Sequence, residues 1–320
     1  MSVRIAQFNH SEYGTIWGEP GDQLKVPGTY ERARTFSGEL EIVPYYGPWD
    51  YVFRIRDAEK ARQLAIIAEQ TCRNPSVGYS QNNGAAPRTT FYDALKAAAG
   101  WDPTKINRPV NGDCSAGMAA WLNAVGVEID RNMWTGSEKF LLEQSGWFLT
   151  LSDDIWTDSE EYLMPGDILL KAGHTALILD YGDEMRSTIP AEVTWDMWQR
   201  GDPSTKGRQL GVVHKGAFVE TMLPLRNGRW YIVSSGGWRG WSSAACYDWQ
   251  YTVEITGHMV NVRTRPNINS EVIQVVMLGA RFPSTGISTE DDRGRTWYQI
   301  SVSNMLGWVS GFYSTLEGYV

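Results

Sequence analysis

Residues 110–125 read VNGDCSAGMAAWLNAV, and residues 164–179 read MPGDILLKAGHTALIL. In the first stretch Asp113 is placed to cap a helix running on through Val125. Trp121, Leu122 and Val125 form its apolar stripe, and Gly117 is its one poor helix former. Cys114 then falls in the first turn, where unpaired N–H groups and the positive end of the helix dipole favour a thiolate. A cysteine nucleophile is prepared in this way, but an inert buried cysteine fits the same local pattern. The second stretch is a strand, a tight glycine turn and a second apolar strand with His174 at its mouth. A histidine there can face a helix N-terminus across a cleft and take a thiol proton. A lone histidine on a core strand can equally be structural. Of the other histidines, His10 falls in an early loop, His214 beside a turn and His258 in a β-strand.

Around these stretches the first half mixes strands and helices in an irregular order, which predicts α+β. Residues 3–8, 40–43, 51–55, 167–170 and 175–179 read as strands. Asp57 can cap a helix with Ala61, Leu64, Ala65, Ala68 and Cys72 on one face, so Cys72 reads as a small buried hydrophobe. Thr90 opens another helix through Leu95 and Ala99. Thr135 and Glu138 form a capping-box pattern for a third, with Phe140 and Leu141 turned inward.

With 320 residues the chain is about twice a typical domain, which predicts two or three domains. Its 42% hydrophobic and 21% charged residues exclude a disordered or fibrous chain. No run approaches the roughly 18–20 apolar residues of a membrane helix. The opening MSVRIAQFNH has no apolar signal-peptide core. A net charge of −8 argues against a nucleic-acid binder. Cys72, Cys114 and Cys246 are too far apart for a disulfide framework or a C-x-x-C metal site, and at least one thiol is free. Charge is uneven: residues 1–186 hold 17 Lys/Arg against 26 Asp/Glu, while residues 187–320 hold 12 against 11 and 8 of the 15 Trp. That shift predicts separate domains with separate tasks.

The C-terminal part reads as short strands between Gly, Pro and Asn, and it repeats. Gly216-Ala217, Gly228-Arg229-Trp230-Tyr231-Ile232 and Gly240-Trp241-Ser242 are answered by Gly279-Ala280, Gly294-Arg295-Thr296-Trp297-Tyr298 and Gly307-Trp308-Val309-Ser310. Upstream, Trp195-Asp196-Met197-Trp198-Gln199-Arg200 stands where Val260-Asn261-Val262-Arg263-Thr264-Arg265-Pro266 stands in the second copy. Two small β-barrels are predicted, with Trp230 and Trp297 in their cores.

Asp-Cys-Ser before a helix, then Pro-Gly-Asp-Ile-Leu and Gly-His-Thr-Ala-Leu-Ile-Leu, resembles the NlpC-type family of papain-like peptidoglycan peptidases. Val77-Gly78-Tyr79-Ser80-Gln81 resembles the family segment that sets a tyrosine beside the nucleophile, although here residues 88–112 intervene. The family holds its imidazole with a third polar residue on the strand after the histidine strand, and no such strand follows Leu179. Arg4-Ile5-Ala6-Gln7 resembles that strand, and residues 39–43 and 49–56 resemble the family's last two. The resemblance therefore implies a circular permutation. It implies Gln7 as the third residue, its amide oxygen accepting from the imidazole Nδ1–H, with Asn9 as the fallback. Residues 260–313 resemble the bacterial SH3-type cell-wall-binding domain, and the first copy looks like a divergent relative that replaces Val-Arg-Thr-Arg-Pro with Met-Trp-Gln-Arg-Gly.

The expected architecture is an α+β papain-like catalytic domain (1–188) followed by two small all-β SH3-like barrels (189–249 and 250–320). The expected function is an endolysin-like peptidoglycan hydrolase. Cys114, His174 and Gln7 would cut a stem-peptide amide, with Tyr79, Gln81 and Ser115 positioning substrate or its oxyanion. An amidase cutting at L-alanine with the same dyad, and a dead wall-binding protein, are the alternatives. No cofactor, metal, nucleic acid or membrane insertion is expected, the partner being bacterial peptidoglycan and the chain a monomer. Without a signal peptide, the protein would be made in the cytoplasm and reach the wall after release.

Overall fold

A six-stranded antiparallel sheet carries the first half of the chain, and two of its central strands come from opposite ends of that half. The computed structural model describes residues 2–82, 87–186, 188–226, 229–303 and 305–318. Gly228, one of the repeated glycines, lies outside the described residues. Two compact units are present, Met1–Asp183 and Glu184–Val320.

In chain order the first unit runs β1 (Arg4–Phe8), β2 (Leu40–Pro44), β3 (Tyr51–Ile55), α1 (Ala58–Arg73), β4 (Val77–Tyr79), α2 (Thr90–Ala97) and β5 (Val110–Gly112). It continues with α3 (Cys114–Ala124), α4 (Thr135–Ser145), β6 (Phe148–Leu151), α5 (Asp154–Thr157), β7 (Ile168–Lys171) and β8 (His174–Ile178). The sheet order is β2-β1-β8-β7-β3-β6. Thus β1 lies between β2 and β8, in register Ile5 with Ile178 and Ala6 with Leu177. Helices α1 and α3 bury their apolar faces with the sheet in one core that includes Leu64, Ala68, Met118 and Trp121. Asp57 caps α1 by accepting from the Glu59 and Lys60 amides.

The Pro-Gly-Asp turn before β7 is structural. The Asp167 carboxylate is fully buried against the Arg54 guanidinium of β3 at 2.6 Å and accepts from the Met164 amide. Gly166 has φ +87°, and a Cβ there would sit 2.5 Å from the Ala61 carbonyl oxygen, so only glycine fits.

Helix α4 corrects the expected capping box. Its N-cap is Trp134, whose amide donates to Ser137 Oγ, so Thr135 is already helical. Leu141 packs against the core as expected, but Phe140 is 63% exposed, and Glu138 and Leu142 are the buried residues of the helix.

The second unit holds β9 (Ile189–Val193), β10 (Met197–Arg200), β11 (Gln209–Val213), β12 (Phe218–Arg226), β13 (Trp230–Ser235), β14 (Trp238–Ser243) and β15 (Tyr247–Trp249). Then come β16 (Tyr251–Ile255), β17 (Met259–Arg263), β18 (Val272–Met277), β19 (Arg281–Glu290), β20 (Thr296–Val302), β21 (Met305–Ser310) and β22 (Ser314–Gly318). The sheets run β11-β10-β14-β13-β12-β9-β15 and β18-β17-β21-β20-β19-β16-β22, so the second repeats the first strand for strand. Arg200 faces Trp241 and Arg263 faces Trp308 across equivalent pairs. Arg200 Nη1 donates to the Gly207 carbonyl and Arg263 Nη1 to the Ser270 carbonyl, each seven residues on. The arginine is therefore kept in the first copy, where the sequence alignment had it replaced. The core Val262 gives way to buried Gln199, whose amide donates to the Val233 and Trp238 carbonyls. Trp297 is buried as expected. Trp230 is only partly so, and Trp241 fills the first core instead. His258 lies exposed in the bend between β16 and β17, not in a strand.

Candidate active site

Cys114 is the first residue of α3, capped by Asp113, whose Oδ1 accepts from the Ala116 amide at 2.8 Å. The other Asp113 oxygen receives Arg88 Nη1 at 2.6 Å, and Arg88 also reaches the Asn132 and Met133 carbonyls. Nothing in the run around Arg88 marks it in the sequence. Ser115 is 3% exposed with its hydroxyl on Asp113 Oδ1. Its side chain serves the cap, where a substrate contact was expected.

The sheet supplies the partners. His174 opens β8 directly across from Lys171 at the hairpin turn. The amide of Thr175, which follows it, and the amide of Ser115 both favour the thiolate form of Cys114. His174 Nε2 lies 2.8 Å from Gln7 Oε1, although 167 residues separate them. Extending the β1–β8 register sets Gln7 diagonal to His174 on one face of the sheet. Asn9, the fallback, donates its backbone N–H to the Glu39 carbonyl, and among the described residues its side chain makes no hydrogen bond to the ring.

The Gln7 amide is itself held. Gln7 Nε2 donates to Glu41 Oε2 at 3.0 Å, and the Tyr46 hydroxyl donates to Gln7 Oε1 at 2.7 Å. These two bonds identify the oxygen as the atom facing His174, so Nε2 carries the proton and Nδ1 is the free base. The expected bond to Nδ1 is thereby corrected to Nε2. Glu41 stands opposite Gln7 in the β1–β2 register, a carboxylate on an otherwise apolar strand; that contrast was its one signal in the sequence. Trp49 stacks on the imidazole with centroids 5.9 Å apart, and Lys171 Nζ lies over the Trp49 and Tyr46 rings.

Tyr79 reaches the site because β4 pairs in parallel with β5, setting Tyr79 across from Gly112, two residues before Cys114. Residues 88–112 thus form a loop, carrying α2, closed by that pair. Tyr79 accepts from Gln81 Nε2 at 2.8 Å, and its amide donates to Glu39. Burial pushes the Tyr79 and Tyr46 phenols up to about 12, so both remain O–H donors at neutral pH.

Burial, then the Asp113 and Glu138 carboxylates, push the Cys114 thiol up to about 12 against the pull of the Thr175 and Ser115 amides. Burial and Lys171 push His174 down to about 4. At rest Cys114 is therefore a thiol and His174 a neutral imidazole. The helix dipole alone had pointed to a thiolate, but the cap that builds the helix end brings a carboxylate with it. Among the described residues no His, Cys, Asp and Glu side chains cluster to hold a metal ion, and no helix is long and apolar enough to cross a membrane.

A bacterial SH3 domain model matches residues 259–316. NlpC2 from Trichomonas vaginalis is 12% identical over 41% of this chain and 48% of its own, with a TM-score of 0.21. An NlpC/P60 family protein from Bacillus cereus is 14% identical over 40% and 56%, with a TM-score of 0.17. The chain spans about half the length of these solved structures. No curated protein sequence matches it. An endolysin-like domain model matches residues 5–185, more than half of the 320, and the chain belongs to that family.

Proposed function

We propose that this protein is a peptidoglycan hydrolase cutting an amide bond of the stem peptide, held on the wall by its two β modules. Cys114 is the nucleophile, His174 the base and later the acid, and Gln7 the group that orients the ring. The observation that carries this reading is the hydrogen bond between the His174 ring and Gln7, on a strand whose next amide, that of Thr175, favours the Cys114 thiolate.

Because the resting pair is neutral, His174 Nδ1 takes the thiol proton as sulfur attacks the carbonyl carbon. Gln7 Oε1 holds the imidazolium through Nε2–H. The Cys114 amide at the helix start and the Tyr79 hydroxyl, whose own proton meets no acceptor among the described residues, receive the oxyanion. The imidazolium then protonates the leaving amine, and water returns through the same base to free the enzyme. The strand carrying Gln7 stands first in this chain and after the histidine strand in the NlpC-type order, which supports reading β1–β3 as permuted. The first β module, with the strand order of the second, is read as a divergent SH3-type relative. A phage lysis enzyme suits this combination.

Mass spectrometry of digested cell walls tests the reading. New amine and carboxyl ends within the stems are expected, and Cys114→Ala should abolish them. Intact stems bearing free L-alanine amines would make the protein an amidase instead. Wall binding without any product would overturn the enzyme reading.

A further inference from the structure

Glu138 lies on α4 with its side chain fully buried. Its Oε1 is 2.8 Å from Thr175 Oγ1, and its Oε2 has no hydrogen-bond partner. Thr175 Oγ1 is also 2.9 Å from the Leu169 carbonyl oxygen. A threonine hydroxyl has one proton, and a carbonyl oxygen has none to give. Two strong bonds at Oγ1 therefore require one proton more than threonine and a carboxylate can supply. A carboxylic acid supplies it: Glu138 O–H donates to Thr175 Oγ1, and Thr175 donates to Leu169. An ionised carboxylate with one oxygen buried and unpaired would be far costlier than the neutral acid.

We propose that Glu138 stands beside Cys114 as a neutral carboxylic acid, a positioning residue that fixes Thr175 and whose ionisation shuts the site down at alkaline pH. The proposal rests on Cys114 and His174 being the catalytic pair. Thr175 is the link: it follows His174 on β8 and its amide favours the Cys114 thiolate, while its hydroxyl is held by Glu138. Losing the proton has two effects. Thr175 must turn its hydroxyl from Leu169 toward Glu138, and a negative charge then faces the forming thiolate.

The groups around Glu138 agree. Asp113 and Cys114 on α3 bear on it, both adding negative charge when ionised. Thr175 on β8 contributes a hydroxyl. On β7, Lys171 sends its ammonium over Tyr46 and Trp49, and on α4 Lys139 pairs with Glu143. With no cation among the described residues turned toward it, burial pushes the Glu138 carboxyl up to about 8.

The test uses the full chain and its Glu138→Gln and Glu138→Met variants. In infrared difference spectra at pH 6, wild type minus Glu138→Gln should show a protonated-carboxyl C=O band that fades as pH passes about 8. The subtraction removes Glu39, which burial also pushes up, to about 7. On soluble muropeptides, wild-type kcat/KM at pH 9 should fall to about a tenth of its neutral value, while Glu138→Gln stays within about twofold of its own. Glu138→Met, neutral but unable to bond Thr175, should lose activity yet also lose the alkaline limb. If Glu138→Gln does not fold, Glu138→Met gives both readouts. A missing band at pH 6, or an alkaline limb unchanged in the variants, would overturn the proposal. The infrared result does not depend on catalysis, so it stands apart from any failure of the Cys114 reading.

Discussion

At Gln7 a neutral amide is made directional by what holds it. Glu41 takes its N–H and Tyr46 gives it an O–H, which leaves only the oxygen to face His174. Gln7→Ala should lower kcat on the order of 10²-fold with KM little changed, less than the ~10⁴-fold seen when a charged orienting group is neutralised. An exposed cleft amide would cost little stability, but Gln7 is 4% exposed. Its loss strands Glu41, Tyr46 and His174 polar atoms, so urea melts should also show about 1–3 kcal/mol of destabilisation. Glu41→Ala should share the kcat loss while sparing Cys114, and full activity in that variant would show that the amide needs no anchor. The acid limb gives a second readout. His174 is pushed down to about 4, and a base works when neutral, so activity should persist well below the ordinary imidazole value of about 6.5. A kcat/KM profile with its acid limb near 6.5 would contradict the buried, Lys171-facing ring. Cys114, His174 and Gln7 could be found in the sequence because each sits in a motif with a family likeness. Tyr46, Arg88 and Glu138 could not, because each acts through a contact that only the folded chain makes, and Glu41 left only its contrast with an apolar strand.

The element that unites the site is β1. Its Gln7 faces the imidazole, while Phe8 packs beneath α3 against Trp121 at 5.4 Å and Phe91 at 5.7 Å between ring centroids. This packing explains the glycine inside α3: a Cβ on Gly117 would lie 2.2 Å from the Phe8 ring, and one on Gly112 would lie 2.8 Å from it. Gly117→Ala gains about 1 kcal/mol of helix propensity but forces a buried ring to move, an overpacking cost of about 1–3 kcal/mol. The melting temperature should fall, and kcat with it, because displacing Phe8 drags Gln7. Phe8→Leu in the same chain should recover part of both. A Gly117→Ala protein as stable as the parent would mean that β1 is free to shift. The strands flanking the site could be read from alternation and apolar runs, and their bounds differ from expectation by about a residue. The β4–β5 pair could not, since three-residue strands carry no period and the pairing joins segments more than thirty residues apart. The register of α4 was misread because a polar Thr–Glu spacing looks like a cap even when the cap is the tryptophan before it.

The molecule divides its charge as it divides its structure. The first unit, Met1–Asp183, holds the acidic excess and has its own core, and the second repeats one seven-stranded plan twice with a near-neutral balance. In the second module, Met259, Arg263, Trp297, Phe312 and Tyr313 line a groove of about 340 Å³, with Phe312 81% exposed. Exposed aromatics beside an arginine suit contact with a polar polymer through stacking and hydrogen bonds. A single weak groove does little alone, but two modules on one chain convert later encounters into intramolecular ones, at effective concentrations near the millimolar range. The catalytic unit needs that help only when its substrate is insoluble and its contacts are few. A chain ending at residue 188 should therefore keep its turnover of soluble muropeptides within about twofold while its lysis of whole cells falls by about 10²-fold or more at low enzyme concentration. Raising the enzyme concentration should restore most of the lysis, because saturation replaces tethering. Loss of muropeptide turnover would mean that the second unit is needed for the fold of the first. Equal lysis by the short and full chains at low concentration would remove any targeting role from the β modules.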